Sequence, residues 1–253
     1  MNIVAIIGSP HGINGNTGRL LEEVINGASA SGAQVELIDL SRMKVQPCVG
    51  CDACHKIGSC HLKDDFEGIK DKLLTCDGFI LASPNYIFSV SAQLKALFDR
   101  CCSLVHCLPL EGKYGAVVET SGGGEDEEVI RYMERFINSI GAQSVGAIDS
   151  NMAGSRSFPG EEALFAKARE LGAELFRSFR EKPHFPDQAG YRASFKTRMK
   201  RLVELYQHEW TYEYQYWQQH HADTVQPAPP PAESSPRRRT PGMRHKGEPC
   251  ADS

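Results

Sequence analysis

The chain has 253 residues, 41 % of them hydrophobic and 24 % charged, which is enough apolar material for one well-cored domain of about 150–200 residues with appendages. A net charge of −4 provides no basic field of the kind that draws a protein onto nucleic acid or anionic lipid, so neither partner is expected. The opening MNIVAIIGSP has no positively charged leader, and its apolar run is too short for a signal peptide or a membrane span, which predicts a cytoplasmic protein.

Short apolar runs at 2–7, 34–39, 78–83, 114–120 and 144–149 read as five strands. The segments 17–30, 65–74, 91–105, 125–140 and 161–179 carry apolar residues at three- and four-residue spacing and read as amphipathic helices. Strict alternation with continuously apolar strands predicts an α/β fold: a flavodoxin-like, doubly wound five-stranded parallel sheet in the order 2-1-3-4-5. In that order ligands sit beyond the carboxyl ends of the strands, at the switch point between strands one and three. The loops after strands one, three and four are therefore the candidate site.

Beyond Pro183 the composition changes, so we divide the chain into a sheet domain at 1–182, an extension at 183–221 and a tail at 222–253. The basic FKTRMKRLVELYQHEW and the aromatic TYEYQYWQQHH read as one added helix. Trp210, Tyr212, Tyr214, Tyr216 and Trp217 are expected to pack, with the sheet or a neighbouring subunit as the surface they could cover. Lys196 to Arg201 beside those aromatics does not make a nucleic-acid site in an acidic chain. The Pro-rich tail is too poor in apolar residues to offset its ordering entropy and is expected to be disordered.

Strand one runs into GSPHGINGNTGRLLEE, whose glycines permit a tight turn before a helix that begins near Thr17. Helix-terminal amides, the hydroxyls of Ser9 and Thr17 and the amide of Asn16 would make a phosphate cradle of neutral donors. Asn16 stands where a P-loop lysine would, so magnesium-nucleotide chemistry is disfavoured, and G-x-G-x-x-G is absent. The third loop, SPNYIFSVSAQLKALFDR, offers Tyr86 and Phe88 as ring surface or as core, with Tyr86 the better ring contact. In the fourth, ETSGGGEDEE, Thr120 to Gly123 can bring bare backbone close to a ligand.

G-S-P followed by G-N-T, then S-P-x-Y with S-A-Q-L-K, then a Gly-rich loop after strand four, together resemble the NADPH-dependent FMN reductase family over residues 1 to about 180. The resemblance implies FMN held by Ser9, Pro10, His11, Asn14, Asn16 and Thr17, by Pro84, Asn85, Tyr86 and Ile87, and by Thr120, Ser121, Gly122 and Gly123. Hydride transfer to a flavin requires no side-chain acid or base, so no catalytic residue is assigned.

Between strand two and the next helix lies CVGCDACHKIGSC, which puts Cys48, Cys51, Cys54 and Cys60 in a C-x2-C-x2-C-x5-C pattern. In a reducing compartment such clusters are metal or redox groups more often than disulfides. The successive two-residue gaps approximate a ferredoxin-type run and favour a [4Fe-4S] cube, with zinc and free, reversibly oxidised thiols as alternatives. Zinc sites usually join two separated ligand pairs, although His55 and His61 lie close in sequence; both read as solvent-exposed. Cys76, Cys101, Cys102 and Cys107 read as ordinary buried thiols, with Cys250 in the tail.

The loop is similar to that of the iron–sulfur flavoprotein branch of the same family. That likeness implies a cluster, a homo-oligomer built of dimers, and electrons from NAD(P)H or a ferredoxin-like donor passing to a quinone, another small molecule or a protein. A non-enzymatic sensor or electron carrier binding flavin or zinc is the competing expectation.

Overall fold

The computed structural model describes residues 1–151 and 157–221. The expected disordered tail and Cys250 lie outside the described residues. Five parallel strands, β1 (Asn2–Ile7), β2 (Gln34–Asp39), β3 (Gly78–Pro84), β4 (Tyr114–Ser121) and β5 (Gln143–Asn151), form one sheet in the order β2-β1-β3-β4-β5. The order is the expected flavodoxin-like one. Central β4 is buried along its whole length, whereas edge strand β2 is largely exposed, which is why 115–118 is an unbroken run of small and apolar residues while 34–39 mixes apolar and polar ones.

Helices cover both faces. On one side α1 (Asn16–Ala30) and α7 (Glu161–Glu181) pack over Ile3, Ala5, Ile7, Ile80, Ala116 and Val118. On the other, α3 (Phe66–Thr75), α4 (Ala92–Arg100) and α6 (Asp126–Ser139) cover Val4, Ile6, Phe79, Leu81 and Val117. The alternation of strand residues between the two cores follows from the two-residue side-chain period of a strand.

The expected helix over 91–105 is two helices, α4 and α5 (Cys102–Cys107), separated by Cys101, whose amide closes a tight turn on the Phe98 carbonyl at 3.0 Å. The expected single helix of the extension is also two, α8 (Pro186–Leu205) and α9 (Thr211–His220). They share a third small core of Leu108, Phe195, Met199, Val203 and Trp217. The aromatic segment lies on α5 and on a short helix, α2 (Ala53–Ile57), rather than on the sheet.

Helices α1 and α7 meet at two glycines. A Cβ on Gly27 would lie inside the contact radius of the Arg169 carbonyl oxygen, and one on Gly172 would do the same at the Val24 carbonyl. Alanine is the better helix former by about 1 kcal/mol, but backbone cannot yield as a flexible side chain can. Gly27→Ala is therefore expected to destabilise the fold by about 1–3 kcal/mol and lower the melting temperature by several degrees in thermal denaturation. An unchanged melting temperature would mean the helices have slack at this crossing.

Candidate functional site

The three loops at the carboxyl edge are bonded to one another. The Gly8 amide donates to Ala82 O at 2.8 Å, and the Ser91 hydroxyl, which caps α4, donates to Gly8 O at 2.6 Å. A side chain at Gly8 would meet Leu94 Cβ at 2.6 Å, so this turn lies flush on α4. Ser9 and Thr17 are buried, Asn16 is half-buried at the first position of α1, and Pro10, His11 and Asn14 face solvent. Thr17 Oγ1 stands 2.6 Å from Thr120 Oγ1 at the end of β4, joining the first and fourth loops.

Asn85 joins the other two. Its amide donates to Thr120 O at 2.9 Å, its side-chain nitrogen donates to Gly124 O at 3.2 Å, and its side-chain oxygen accepts from the Phe88 amide at 3.0 Å. That last bond holds a strained turn: Ile87 and Phe88 adopt left-handed φ of 51° and 62°, uncommon for a β-branched or bulky residue and costing about 1–3 kcal/mol each. The strained turn presents apolar surface to solvent, with Ile87 88 % exposed and Tyr86 and Phe88 also outside the core. The core alternative for both aromatics is thereby ruled out. Beside it Gly122, Gly123 and Gly124 have open space at every Cβ position. Buried hydroxyls at one end, an apolar platform in the middle and bare backbone opposite fit a long ligand with an anionic end and a flat ring.

Under the fourth loop lies Glu119, fully buried on β4. Burial first, then the charge of Asp126 and then that of Asp149, pushes its carboxyl up to about 9, so it is neutral at neutral pH. Its sequence signal is the single carboxylate inside the run AVVETS.

The four cysteines share one small cavity of about 120 Å³, also lined by His55, His61, Arg100 and Cys102. Cys48 and Cys51 are exposed, Cys54 and Cys60 half-buried, and Cys51 Sγ lies 3.0 Å from His61 Nδ1. Burial, Glu213 and the other three loop cysteines together push the Cys54 thiol up to about 11, so at neutral pH a bound cation would be needed to hold Cys54 as a thiolate. Among the described residues, the ligand atoms that converge within 4.8 Å belong to a different group, His55, Cys102 and His106. One tetrahedral zinc would need four sulfurs about 4 Å apart, whereas a cube binds each thiolate at its own iron. Four cysteines lining one cavity supply the number of thiolates that such a cube takes.

A buried ion pair closes the base of this loop. Arg100 donates to both Asp64 oxygens, at 2.8 and 3.1 Å, and to Gln46 O at 2.9 Å, and its guanidinium lies 4.6 Å from the Phe66 ring centre. Asp64 in turn accepts from the Gln46 amide at 2.9 Å and the Phe66 amide at 3.2 Å. Residues 46 and 64 flank the cysteines, so the clamp fixes both ends of the segment that carries them.

Two expectations are corrected here. His55 is buried, 5 % exposed, because Nδ1 bonds Glu213 Oε1 at 2.6 Å and its ring stacks on Trp210 at 4.4 Å. Cys102 is half-buried and faces His106 Nε2 at 3.8 Å rather than an apolar core. His61 is exposed as expected.

Among the described residues no helix is long and apolar enough to cross a membrane. A family model described as NADPH-dependent FMN reductase matches residues 1–154. An iron-sulfur flavoprotein of Archaeoglobus fulgidus is 32 % identical over 222 residues, covering 87 % of this chain and 98 % of that protein. Another, from Methanocaldococcus jannaschii, is 33 % identical over 184 residues, covering 72 % and 95 %. A match over 87 % of the chain has to include the helices beyond residue 182, so the likeness runs further than the sheet domain. A solved flavone reductase superposes with a TM-score of 0.59 at 18 % identity, covering 73 % of this chain and 65 % of that one, a likeness of fold. With its loops joined at one sheet edge and its sequence matched over most of its length, the chain belongs to the NADPH-dependent FMN reductase family, in the branch of its iron–sulfur flavoprotein relatives.

Proposed function

We propose that this FMN-dependent oxidoreductase moves electrons from NAD(P)H or a ferredoxin-like carrier through FMN and a [4Fe-4S] cluster to a quinone, another small molecule or a protein acceptor. The observation that supports the reading is that four cysteines line one cavity, in a chain whose three sheet-edge loops are hydrogen-bonded to one another. When bound, FMN supplies hydride acceptance at N5 and one-electron release, and the cluster supplies a one-electron carrier.

The chain's own groups provide position. Ser9, Asn16 and Thr17, with the amides that open α1, would hold the phosphate; Pro10, His11 and Asn14 would border it from the solvent side. Pro84, Asn85, Tyr86 and Ile87 would support the ring, and Thr120, Ser121, Gly122 and Gly123 would present backbone amides to it. Cys48, Cys51, Cys54 and Cys60 would ligate the cluster, and Arg100 beside Cys60 would offset its negative charge. A homo-oligomer belongs to the same proposal.

Iron, acid-labile sulfide and flavin measured per chain on anaerobically purified protein test it: about four irons, four sulfides and one FMN are expected. FMN without iron would leave a plain flavin reductase. Failure to bind added FMN would overturn the reading altogether, and flavin binding without nicotinamide turnover would favour a carrier or sensor.

A further inference from the structure

The cysteine cavity has a second donor set on its wall. Glu213, on α9 and fully buried, bonds His55 Nδ1 through one oxygen at 2.6 Å and His106 Nδ1 through the other at 2.9 Å. One carboxylate accepting from both Nδ1–H groups fixes the tautomer of both rings and leaves a lone pair on each Nε2. Cys102 Sγ lies 3.8 Å from His106 Nε2, and one ligand atom from each of His55, Cys102 and His106 lies within 4.8 Å of the others; Trp210 stacks on both rings, at 4.4 and 5.0 Å, holding their planes.

We propose that His55, Cys102 and His106 form a mononuclear site for a zinc-class divalent cation, on the wall of the cavity that the four cysteines line and with none of those cysteines as a ligand. Two imidazoles and one thiolate are borderline-soft donors of the kind zinc takes, and three protein ligands leave a fourth position open. Asp52 Oδ1 lies 3.8 Å from His55 Nε2 on a side chain 56 % exposed, marking the direction from which an ion or water reaches that position. Asp52 itself is held at a left-handed φ of 60°, an uncommon conformation for a residue other than glycine.

Charge favours occupancy. Glu213, which accepts from both imidazoles, brings a carboxylate into this buried group. A divalent cation beside the Glu213 carboxylate and the Cys102 thiolate leaves the group neutral. Cys102 ligates as a thiolate, so each ion bound should replace one thiol proton with one metal–sulfur bond and release that proton to solvent.

The probe is Co²⁺, with Zn²⁺ in competition, added to full-length protein in which Cys48, Cys51, Cys54 and Cys60 are all replaced by serine. The expected result is one ion per chain, with thiolate-to-cobalt charge-transfer absorption that Cys102→Ser abolishes and His106→Gln removes or shifts. Glu213→Gln should weaken binding about 10–100-fold with folding retained. Should the four-serine variant not fold, total metal is read in the otherwise unaltered chain, where Cys102→Ser should remove one Zn²⁺ per chain and leave the iron. A folded four-serine variant that takes up no Co²⁺, or metal content and spectrum indifferent to both Cys102→Ser and His106→Gln, would overturn the proposal without touching the FMN or cluster reading.

Discussion

Arg100→Met is expected to destabilise the protein by about 3–5 kcal/mol, because it leaves the Asp64 carboxylate buried without its partner. Both side chains are essentially inaccessible, at 1 % and 0 %, so solvent cannot replace the lost interaction. For a chain of this size the loss corresponds to a fall in melting temperature of roughly 10 °C or more. The pair carries a pH signature as well. Burial alone would raise the Asp64 carboxyl, but the Arg100 guanidinium and the Gln46 and Phe66 amides outweigh it and hold it at about 2, below its ordinary 3.8.

A depressed carboxyl stabilises the fold fully above its unfolded value and ceases to do so as pH falls through its folded one. The native protein should therefore lose stability between about pH 4 and pH 2. Asp64→Asn should remove that acid-side loss while lowering stability at neutral pH. The double variant Arg100→Met/Asp64→Asn should be less damaged than the two single losses added, since no buried charge is left alone. Denaturant melts of the four proteins measure the coupling, and strict additivity would show that the clamp is not a cooperative unit.

The clamp shows where sequence reading stopped. Asp64 and Asp65 close the cysteine run and are conspicuous in it, yet nothing local marks Arg100, 36 residues further along, as their partner. The strands were legible because buried parallel strands are largely apolar runs, and the tight turn after β1 because four glycines crowd residues 8–18. Cys101, by contrast, interrupts a stretch whose three- and four-residue periodicity runs straight through it. The break follows Arg100, which turns to Asp64, 36 residues away, so no local periodicity marks it.

The same holds for His55, whose partner Glu213 is 158 residues away in a segment read only as aromatic packing. A glutamate among tyrosines and tryptophans was the available signal. The aromatic residues reach the cysteine loop instead of the sheet because α9 also supplies the carboxylate that His55 and His106 share.

Thr17→Val should separate the phosphate end of the cleft from its ring end. The Thr17 hydroxyl is buried, opens the second position of α1 and is already held by the Thr120 hydroxyl, so it is oriented before any ligand arrives. A hydrogen bond to a charged group contributes about 1.5–3 kcal/mol, so the variant should bind FMN about 10–150-fold more weakly. Valine has nearly the same shape, and little stability should be lost beyond the unpaired Thr120 hydroxyl. Riboflavin, which shares the ring but lacks the phosphate, should bind the variant and the native protein alike, whereas Thr17→Ser should restore most of the FMN affinity. Parallel titrations followed by flavin fluorescence give all three comparisons. Equal losses for FMN and riboflavin would place the defect in the fold of the cleft, and unchanged FMN affinity would move the phosphate away from this loop.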